Sequence, residues 1–396
     1  MPREPRNGSE KKIERAGAPA HRTKAREDKT PTSATHKTTA RKLNARKLSA
    51  KKLNAPEANA REVNPRKVKE AHAASSAAAC RAPAGQPGVA VIGAGRLGSA
   101  LALALGRSGY TVVALFARRA ERARLVARAL SPRPLALDAT QLDSLPDTAD
   151  LILVTTPDDQ IAQVAARLAG VFAARHAAGL PQRRRRIALH ASGALSSDAL
   201  APLGEHNFSL GSLHPLVSIS DPAGGERNLG GAFYCLEGEA RALTAARKIV
   251  RALGGRSFSL AARDKSLYHA AAVIASGHTV ALFSLAADLL ARCGLSDARA
   301  RQVLLPLLAS TLDNLKSHAP DEALTGTFAR ADFSTVRKHL AALQDAGDIG
   351  RGATTVYALL GERSLQMAAR RHKFDSSVVE EIALLLRKAI SDSRDE

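Results

Sequence analysis

The chain has 396 residues, a formal net charge of +21, 45% hydrophobic residues and only 3% aromatic residues. Single domains mostly hold roughly 100 to 200 residues, so two domains with aliphatic cores are expected. The three cysteines lie far apart without a CxxC pair, which excludes a disulfide framework and a structural zinc site, and no metal is expected. Neither a secretory signal nor an apolar run of membrane-spanning length is recognisable, so we expect a cytoplasmic protein without membrane contact.

A basic tail precedes the first predicted strand. Residues 1–80 hold 20 Lys and Arg against 8 Asp and Glu, and a five-residue repeat begins with ARKLN at Ala40. A period of five fits neither helix nor strand, and so few apolar groups do not offset the entropy of ordering the backbone. We therefore predict disorder over 1–84. The tail is either a weak polyanion contact, or a solvated extension or misplaced start.

A glycine-rich turn follows a short apolar run near residue 88. The motif GAGRLG at 93–98 separates this run from an Ala/Leu-rich helical stretch. In dinucleotide-binding domains the three glycines permit a tight turn, close approach of the pyrophosphate and close packing of helix on strand. Free amides at the helix N-terminus then hold the phosphates. The predicted cofactor contacts in this turn are Gly93, Gly95, Arg96, Leu97 and Gly98.

The residues after the second predicted strand, 111–116, indicate which dinucleotide is bound. An NAD site usually places Asp or Glu there to bind the ribose hydroxyls, but this chain has Arg118 and Arg119. Guanidinium groups suit a 2′-phosphate, so NADP(H) is favoured over NAD(H), with Arg122 as a helper. The alternative is that these arginines merely begin an exposed helix.

A third strand, predicted over 150–155, is followed by a turn and a helix. Ligands of open parallel sheets lie beyond the carboxyl ends of the strands. Thr155, Thr156 and Pro157 are therefore predicted to line the nicotinamide side of the cofactor site.

Two later loops carry candidate substrate contacts. Ser192 follows the strand 187–190 and is predicted to bind the cofactor ribose or a substrate carboxylate. The alternative for this loop is helix capping by Ser196 or Ser197. His214 is predicted to sit in a turn fixed by Pro215, where it orients a substrate or exchanges a proton with it. A hydrogen-bonded structural histidine is the alternative.

From Arg263 onward the periodicity is helical. Four polar residues of a long apolar helix predicted over 265–290 fall on one face, namely Lys265, His269, Ser276 and Thr279. Buried polar groups need partners, so this face is expected to line a wet cleft, with Lys265 and His269 as acid–base candidates and Ser276 as a substrate contact. The alternative places Lys265 and His269 at an exposed first turn, with only Ser276 and Gly277 buried.

Two charged residues further along, before the next predicted helix, carry predicted roles. Arg330 is predicted to clamp a substrate carboxylate. Asp332 is predicted to cap the helix that follows it.

Four motifs resemble one bacterial family: HASGALSSDAL, GSLHPL, KSLYHAAAVIAS and ALTGTFARADFSTVRKHL. It comprises Rossmann-like oxidoreductases whose C-terminal half is domain of unknown function 2520. The resemblance covers roughly Gly88 to Leu343 and implies an NADP-binding Rossmann domain before an all-α domain of the 6-phosphogluconate dehydrogenase type. Pyrroline-5-carboxylate reductase and ketopantoate reductase share this plan, and the resemblance also implies a homodimer.

The sequence therefore predicts an α/β Rossmann domain over 85–261 and a helical substrate and dimerisation domain over 262–396. The predicted function is NADP(H)-dependent hydride transfer to or from a small carbonyl, imine or hydroxy-acid substrate held between the domains. The alternative is a non-catalytic NADP(H) sensor or interaction module with a polyanion-binding tail.

Overall fold

The computed structural model describes residues 86–180 and 185–395, with a few isolated positions before residue 86. The predicted disorder of the tail lies outside the described residues. Within the described ranges strands end at Ser259 and helices alone follow.

Eight strands form one sheet in the order β3-β2-β1-β4-β5-β6-β7-β8. The strands are β1 (Gly88–Ile92), β2 (Val112–Ala117), β3 (Leu135–Asp138), β4 (Ala149–Val154), β5 (Arg186–His190), β6 (Phe208–Pro215), β7 (Phe233–Gly238) and β8 (Arg256–Ser259). All neighbouring strands are parallel except β6 and β7. The order of the first six strands is that of the Rossmann fold, which confirms the predicted fold class.

Helices flank the sheet and make up the C-terminal part. They are α1 (Arg96–Arg107), α2 (Ala120–Ala127), α3 (Asp158–Ala177), α4 (Pro222–Leu229), α5 (Ala240–Ala252), α6 (Lys265–Ala275), α7 (Gly277–Arg292), α8 (Asp297–Ser317), α9 (Pro320–Ala323), α10 (Phe333–Gln344), α11 (Gly350–Arg371) and α12 (Ser376–Asp395). Short 3-10 helices span Leu142–Ser144, Ser197–His206, Ala262–Asp264, Phe328–Arg330 and Gly347–Ile349.

The sheet separates two aliphatic cores. Side chains of a strand alternate between faces, so Val89 and Val91 of β1 join the core under α1 and α5, whereas Ala90 and Ile92 join the core under α3. A third core lies among α10, α11 and α12. The predicted aliphatic packing is thus confirmed.

Two local predictions in this region are wrong. His214 and Pro215 are the last residues of β6 and not a turn, because they pair with Cys235 and Tyr234 of the antiparallel strand β7. The helix predicted over 265–290 is also interrupted. It breaks between α6 and α7 at Ser276, where a Ser-Gly pair lets the backbone bend.

Contrary to the expectation from the sequence that no apolar run of membrane-spanning length is present, the segment Ala262–Arg292 is long and apolar enough to cross a membrane by length and composition. No residue of its most apolar 18-residue window is buried. This exposure distinguishes α6 and α7 from the helices that cover the sheet.

Phe208 provides a test of the core under α3. It is fully buried at the start of β6, with its ring edge-on to Phe172 at 5.0 Å. Phe208→Ala should lower the free energy of unfolding by roughly 3–5 kcal/mol, because the lost contacts leave a cavity. The control Phe233→Ala, at a ring that is 46% exposed, should cost about 1 kcal/mol or less in urea unfolding. Equal losses would contradict this packing.

Candidate functional site

The glycine turn has the geometry of a dinucleotide-binding loop. Gly93 has φ +108°, a conformation that side chains rarely adopt, and a Cβ at Gly98 would lie 2.2 Å from the carbonyl oxygen of Gly93. At Gly95 the nearest atom to an added Cβ is 3.8 Å away, so the turn is open to solvent there. The first amides of α1, from Arg96 and Leu97 onward, have no acceptor within the helix. An anion can therefore approach the helix N-terminus at Gly95.

The residues after β4 support this turn. The hydroxyl of Thr155 donates to the carbonyl of Gly93 at 2.9 Å, which fixes the strand end against the glycine turn. Thr156 has a buried hydroxyl without a partner among the described residues. Pro157 precedes the first residue of α3, Asp158. Thr155 thus holds the turn with its side chain.

Arg118 and Arg119 directly follow β2, at the same edge of the sheet. Both are exposed, and Arg119 is the N-cap residue of α2 without a side-chain capping bond. Among the described contacts neither guanidinium has an ion-pair partner. The position suits a phosphate on the ribose next to β2.

A cavity of about 400 Å³ connects the start of α1 with the ends of β5 and β6 and with α6. Its lining comprises Arg96, Leu97, Asp158, Ala191, Ser192, Gly193, His214, Pro215, Val217, Ile219 and His269. The cavity therefore brings the glycine turn, Ser192 and two imidazoles into one space.

Ser192 is held by its own loop and by α3. Its hydroxyl donates to the Asp158 carboxylate at 2.7 Å and accepts from the amides of Ala194 and Leu195 at 3.1 and 3.0 Å. A hydroxyl with three partners is fixed in place. Ser192 thus positions Asp158 in the lining of the cavity.

His190 and Glu237 hold the loop after β5 in place through hydrogen bonds. The amide of Ser192 donates to Nδ1 of His190 at 3.2 Å, so Nε2 carries the hydrogen and donates to the carbonyl of Ser196 at 2.9 Å. The Glu237 carboxylate accepts from the amide and hydroxyl of Ser197 at 2.7 and 2.8 Å. The alternative of helix capping is therefore wrong: the Ser196 side chain makes no capping bond, and Ser197 is bound to Glu237 of β7.

Lys265 lies beneath the cavity. Its side chain is fully buried, and its ammonium donates to the carbonyl of Ser192 at 3.1 Å and to the hydroxyl of Ser212 at 2.7 Å. Burial lowers the pKa of Lys265 from its ordinary value. Lys265 does not line the cavity, and the alternative of an exposed first turn is wrong for it.

His214 and His269 face each other across Gly193. Their rings are edge-on with centroids 5.5 Å apart. A Cβ at Gly193 would lie 2.3 Å from Nδ1 of His269 and 2.9 Å from Nε2 of His214, so only glycine leaves room for both rings. Nδ1 of His269 is buried without a partner among the described residues, whereas Nδ1 of His214 lies 2.6 Å from the Tyr268 hydroxyl.

Two predicted substrate contacts lie outside this cavity. Ser276 is exposed at the break between α6 and α7 and does not line the cavity. Arg330 is exposed in the 3-10 helix before α10 and does not line the cavity. Asp332 does cap α10 as predicted, since its carboxylate accepts from the amide and hydroxyl of Thr335 at 3.0 and 2.7 Å.

Four residues of the site were not predicted from the sequence: Asp158, His190, Glu237 and Tyr268. Tyr268 follows Lys265 by three positions, which places both on one face of a helix, so helical spacing gave a signal for it. Asp158 follows the predicted turn at Pro157 directly. His190 ends a predicted strand but gave no further signal, and Glu237 is set by the pairing of β7 with β6.

The comparisons with known families agree with this fold. The Rossmann-like domain family matches residues 72–215, and the family described as domain of unknown function DUF2520 matches residues 232–364. The chain is thus a Rossmann-like protein with a helical C-terminal part. The two matches fit the order of domains that the four sequence motifs indicate, a Rossmann-like domain followed by a DUF2520 domain.

Solved structures with the same fold include two bacterial proteins. A putative NADP oxidoreductase from Bacteroides fragilis is 24% identical, with a TM-score of 0.56 over 71% of this chain and 98% of its own. A protein from Thermotoga maritima is 22% identical, with a TM-score of 0.50 over 77% of this chain and 99% of its own. No functionally curated protein matches the sequence significantly.

The buried imidazoles predict a pH-dependent stability. Burial lowers the pKa of both His190 and His214 from 6.5 to about 4. Between these values the unfolded chain binds more protons than the folded one, so stability should fall as the pH drops from about 6.5 towards 4. His190→Gln should reduce this slope by about one proton, or about 1.4 kcal/mol per pH unit. Urea unfolding across this range measures it.

His372→Gln is the matched control, because His372 is exposed directly after α11 and does not belong to the helices α6 to α8. It should leave the slope unchanged. If the wild-type slope were absent, or if His190→Gln kept it, the neutral state of the buried imidazoles would be wrong.

Proposed function

We propose that this chain is an NADP(H)-dependent oxidoreductase that transfers hydride to or from a small carbonyl, imine or hydroxy-acid substrate. One observation carries the proposal: a single cavity joins the N-terminus of α1 at the glycine turn to His214 and His269. A dinucleotide whose phosphates bind at the turn extends towards the imidazoles at the carboxyl edge of the sheet. The description of the Bacteroides fragilis neighbour as an NADP oxidoreductase supports the same cofactor.

The residues present fit this cofactor. Gly95 leaves open space in front of the free amides of α1, where a pyrophosphate binds in this fold. Arg118 and Arg119 supply two exposed positive charges after β2, where an NAD site would have a carboxylate. Bound NADPH would supply a hydride from its nicotinamide ring.

The protein's own groups then handle the substrate. His269 lines the cavity, and its Nδ1 has no partner among the described residues, so we assign His269 to exchange the proton that accompanies hydride transfer. His214 orients the substrate, and Ser192 holds Asp158 in the cavity lining. Lys265 has a structural role, because its ammonium group donates to the carbonyl of Ser192 and the hydroxyl of Ser212.

We also propose that the protein forms a homodimer through α6, α7 and α8. These helices expose ten large apolar side chains, from 37% to 77%: Leu267, Val273, Ile274, Val280, Leu282, Val303, Leu305, Leu307, Leu312 and Leu315. Each of these side chains exposes on the order of 100 Å², so the ten together expose about 1,000 Å² of apolar surface. Monomers rarely expose patches above a few hundred Å², whereas a stable interface buries about 800 Å² per partner. A second copy of the chain, packed on these helices, would bury this apolar surface.

Substitution of Arg118 tests the cofactor. Wild type should bind NADPH more tightly than NADH, and Arg118→Asp should weaken NADPH binding by roughly 10- to 100-fold, because a charge-assisted bond to the 2′-phosphate is lost. Arg128→Asp, the same charge change at the other end of α2, should have no such effect. Fluorescence titration measures all three proteins.

The same titration, combined with an assay of NADPH turnover, separates the two functional hypotheses. Binding of neither nucleotide would contradict the enzyme and the sensor alike. Tight NADPH binding without turnover of any carbonyl, imine or hydroxy acid would favour the sensor.

Substitution on the exposed helices tests the dimer. Val280→Glu and Leu307→Glu should each shift the protein from dimer to monomer by at least about ten-fold in dissociation constant, because a charge would be buried at the interface. Leu384→Glu is the control, since Leu384 is 64% exposed on α12. Sedimentation velocity measures the mass. A monomeric wild type, or one that floats with lipid vesicles, would contradict the proposed assembly.

A further inference from the structure

Tyr268 is the group that touches His214 directly. Its hydroxyl oxygen lies 2.6 Å from Nδ1 of His214, and the two rings are edge-on with centroids 5.6 Å apart. Phe258 of β8 packs edge-on against the tyrosine ring at 5.9 Å. The thiol of Cys235, which pairs with His214 in the β6–β7 ladder, is hydrogen-bonded to the same hydroxyl. The hydroxyl is therefore fixed between a thiol and an imidazole nitrogen.

The chemistry of these groups decides which atom donates. A distance of 2.6 Å is shorter than the range of about 2.7–3.2 Å for N–H donors and lies within the range of about 2.5–3.0 Å for O–H donors. Sulfur is a weak acceptor, whereas an unprotonated imidazole nitrogen is a good one. The hydroxyl of Tyr268 therefore donates to His214 and not to Cys235.

The protonation states of both groups agree with this direction. Burial raises the pKa of Tyr268 above its ordinary value, so the phenol keeps its hydrogen at neutral pH. Burial, with the neighbouring His269 and Lys265, lowers the pKa of His214 to about 4, which leaves one ring nitrogen unprotonated. Tyr268 occupies that nitrogen, so the ring hydrogen is left for Nε2.

We propose that Tyr268 is a positioning residue that holds His214 in the tautomer with its hydrogen on Nε2. Nε2 lies on the side of Gly193, which with His214 lines the cavity, so the imidazole offers a neutral N–H donor to a substrate there. Such a donor matches a carbonyl or carboxylate oxygen and not a protonated imine nitrogen, which has no lone pair. This step rests on the proposed function and narrows its substrate class to compounds that turn an oxygen towards His214.

Nitrogen NMR of the full chain labelled with ¹⁵N-histidine tests the tautomer without a substrate. His214→Gln assigns the His214 signals by their loss. In wild type His214 should carry its ring hydrogen on Nε2. In Tyr268→Phe the ratio of the Nε2–H tautomer to the Nδ1–H tautomer should fall about ten-fold, because the hydrogen bond that favours the Nε2–H form is lost. Tyr357→Phe is a matched control: the Tyr357 hydroxyl lies 2.8 Å from Nδ1 of His339 with rings 5.7 Å apart, outside the cavity lining.

The control variant should change the His339 signals and leave those of His214 unaltered. A hydrogen on Nδ1 of His214 in wild type would overturn the proposal and point to a substrate that donates. An unaltered tautomer in a folded Tyr268→Phe would overturn the role of Tyr268. If that variant does not fold, the wild-type spectrum still tests the proposal, because it shows which ring nitrogen of His214 carries the hydrogen. NADPH titration of the same samples is a separate readout, so loss of the proposed function leaves the tautomer result standing.

Discussion

The buried ammonium group of Lys265 is the contact on which the geometry of the cavity depends. It donates to the carbonyl of Ser192 and the hydroxyl of Ser212, with its side chain fully buried. An ammonium group buried without partners is so unfavourable that it loses its charge or leaves the interior. The loop after β5, the end of β6 and the start of α6 therefore hold one fixed arrangement.

The residues of the cavity follow from this arrangement. Tyr268 and His269 lie within one helical turn of Lys265, so the docking of Lys265 also places them against β6. His214 meets both, and Gly193 leaves room for the two rings. From the other side, Thr155 fixes the glycine turn to the end of β4. The cavity thus joins a phosphate-binding turn to a pair of imidazoles held by separate elements.

Local sequence signals predicted the phosphate-binding turn. The apolar runs and the GAGRLG motif identify β1, the turn and α1 because strand burial and glycine geometry are properties of short segments. β3 was missed, since its four residues are all only partly buried. The wrong turn at His214 has a similar cause, because pairing with Cys235 on β7 depends on a partner far along the chain.

The imidazole side was only partly predictable. Helical spacing placed Lys265 and His269 together. The burial of Lys265, however, depends on its bonds to Ser192 in the loop after β5 and to Ser212 in β6, which lie far from it in the sequence. Ser276 was grouped with them because nothing in the periodicity showed the break of the helix. Arg330 was chosen for its charge alone, and charge does not determine position in a fold.

The central claim is that the glycine turn binds the cofactor phosphates in front of the imidazole cavity, and titration of Gly95→Ala with NADPH tests it most directly. A methyl group at Gly95 has open space, so stability should change by about 1 kcal/mol or less, yet it stands where the pyrophosphate approaches. The NADPH affinity should be at least about ten-fold lower than in wild type and than in Gly352→Ala, a glycine on α11 where an added Cβ would have no atom within 4 Å. Equal NADPH affinity in all three proteins would contradict it.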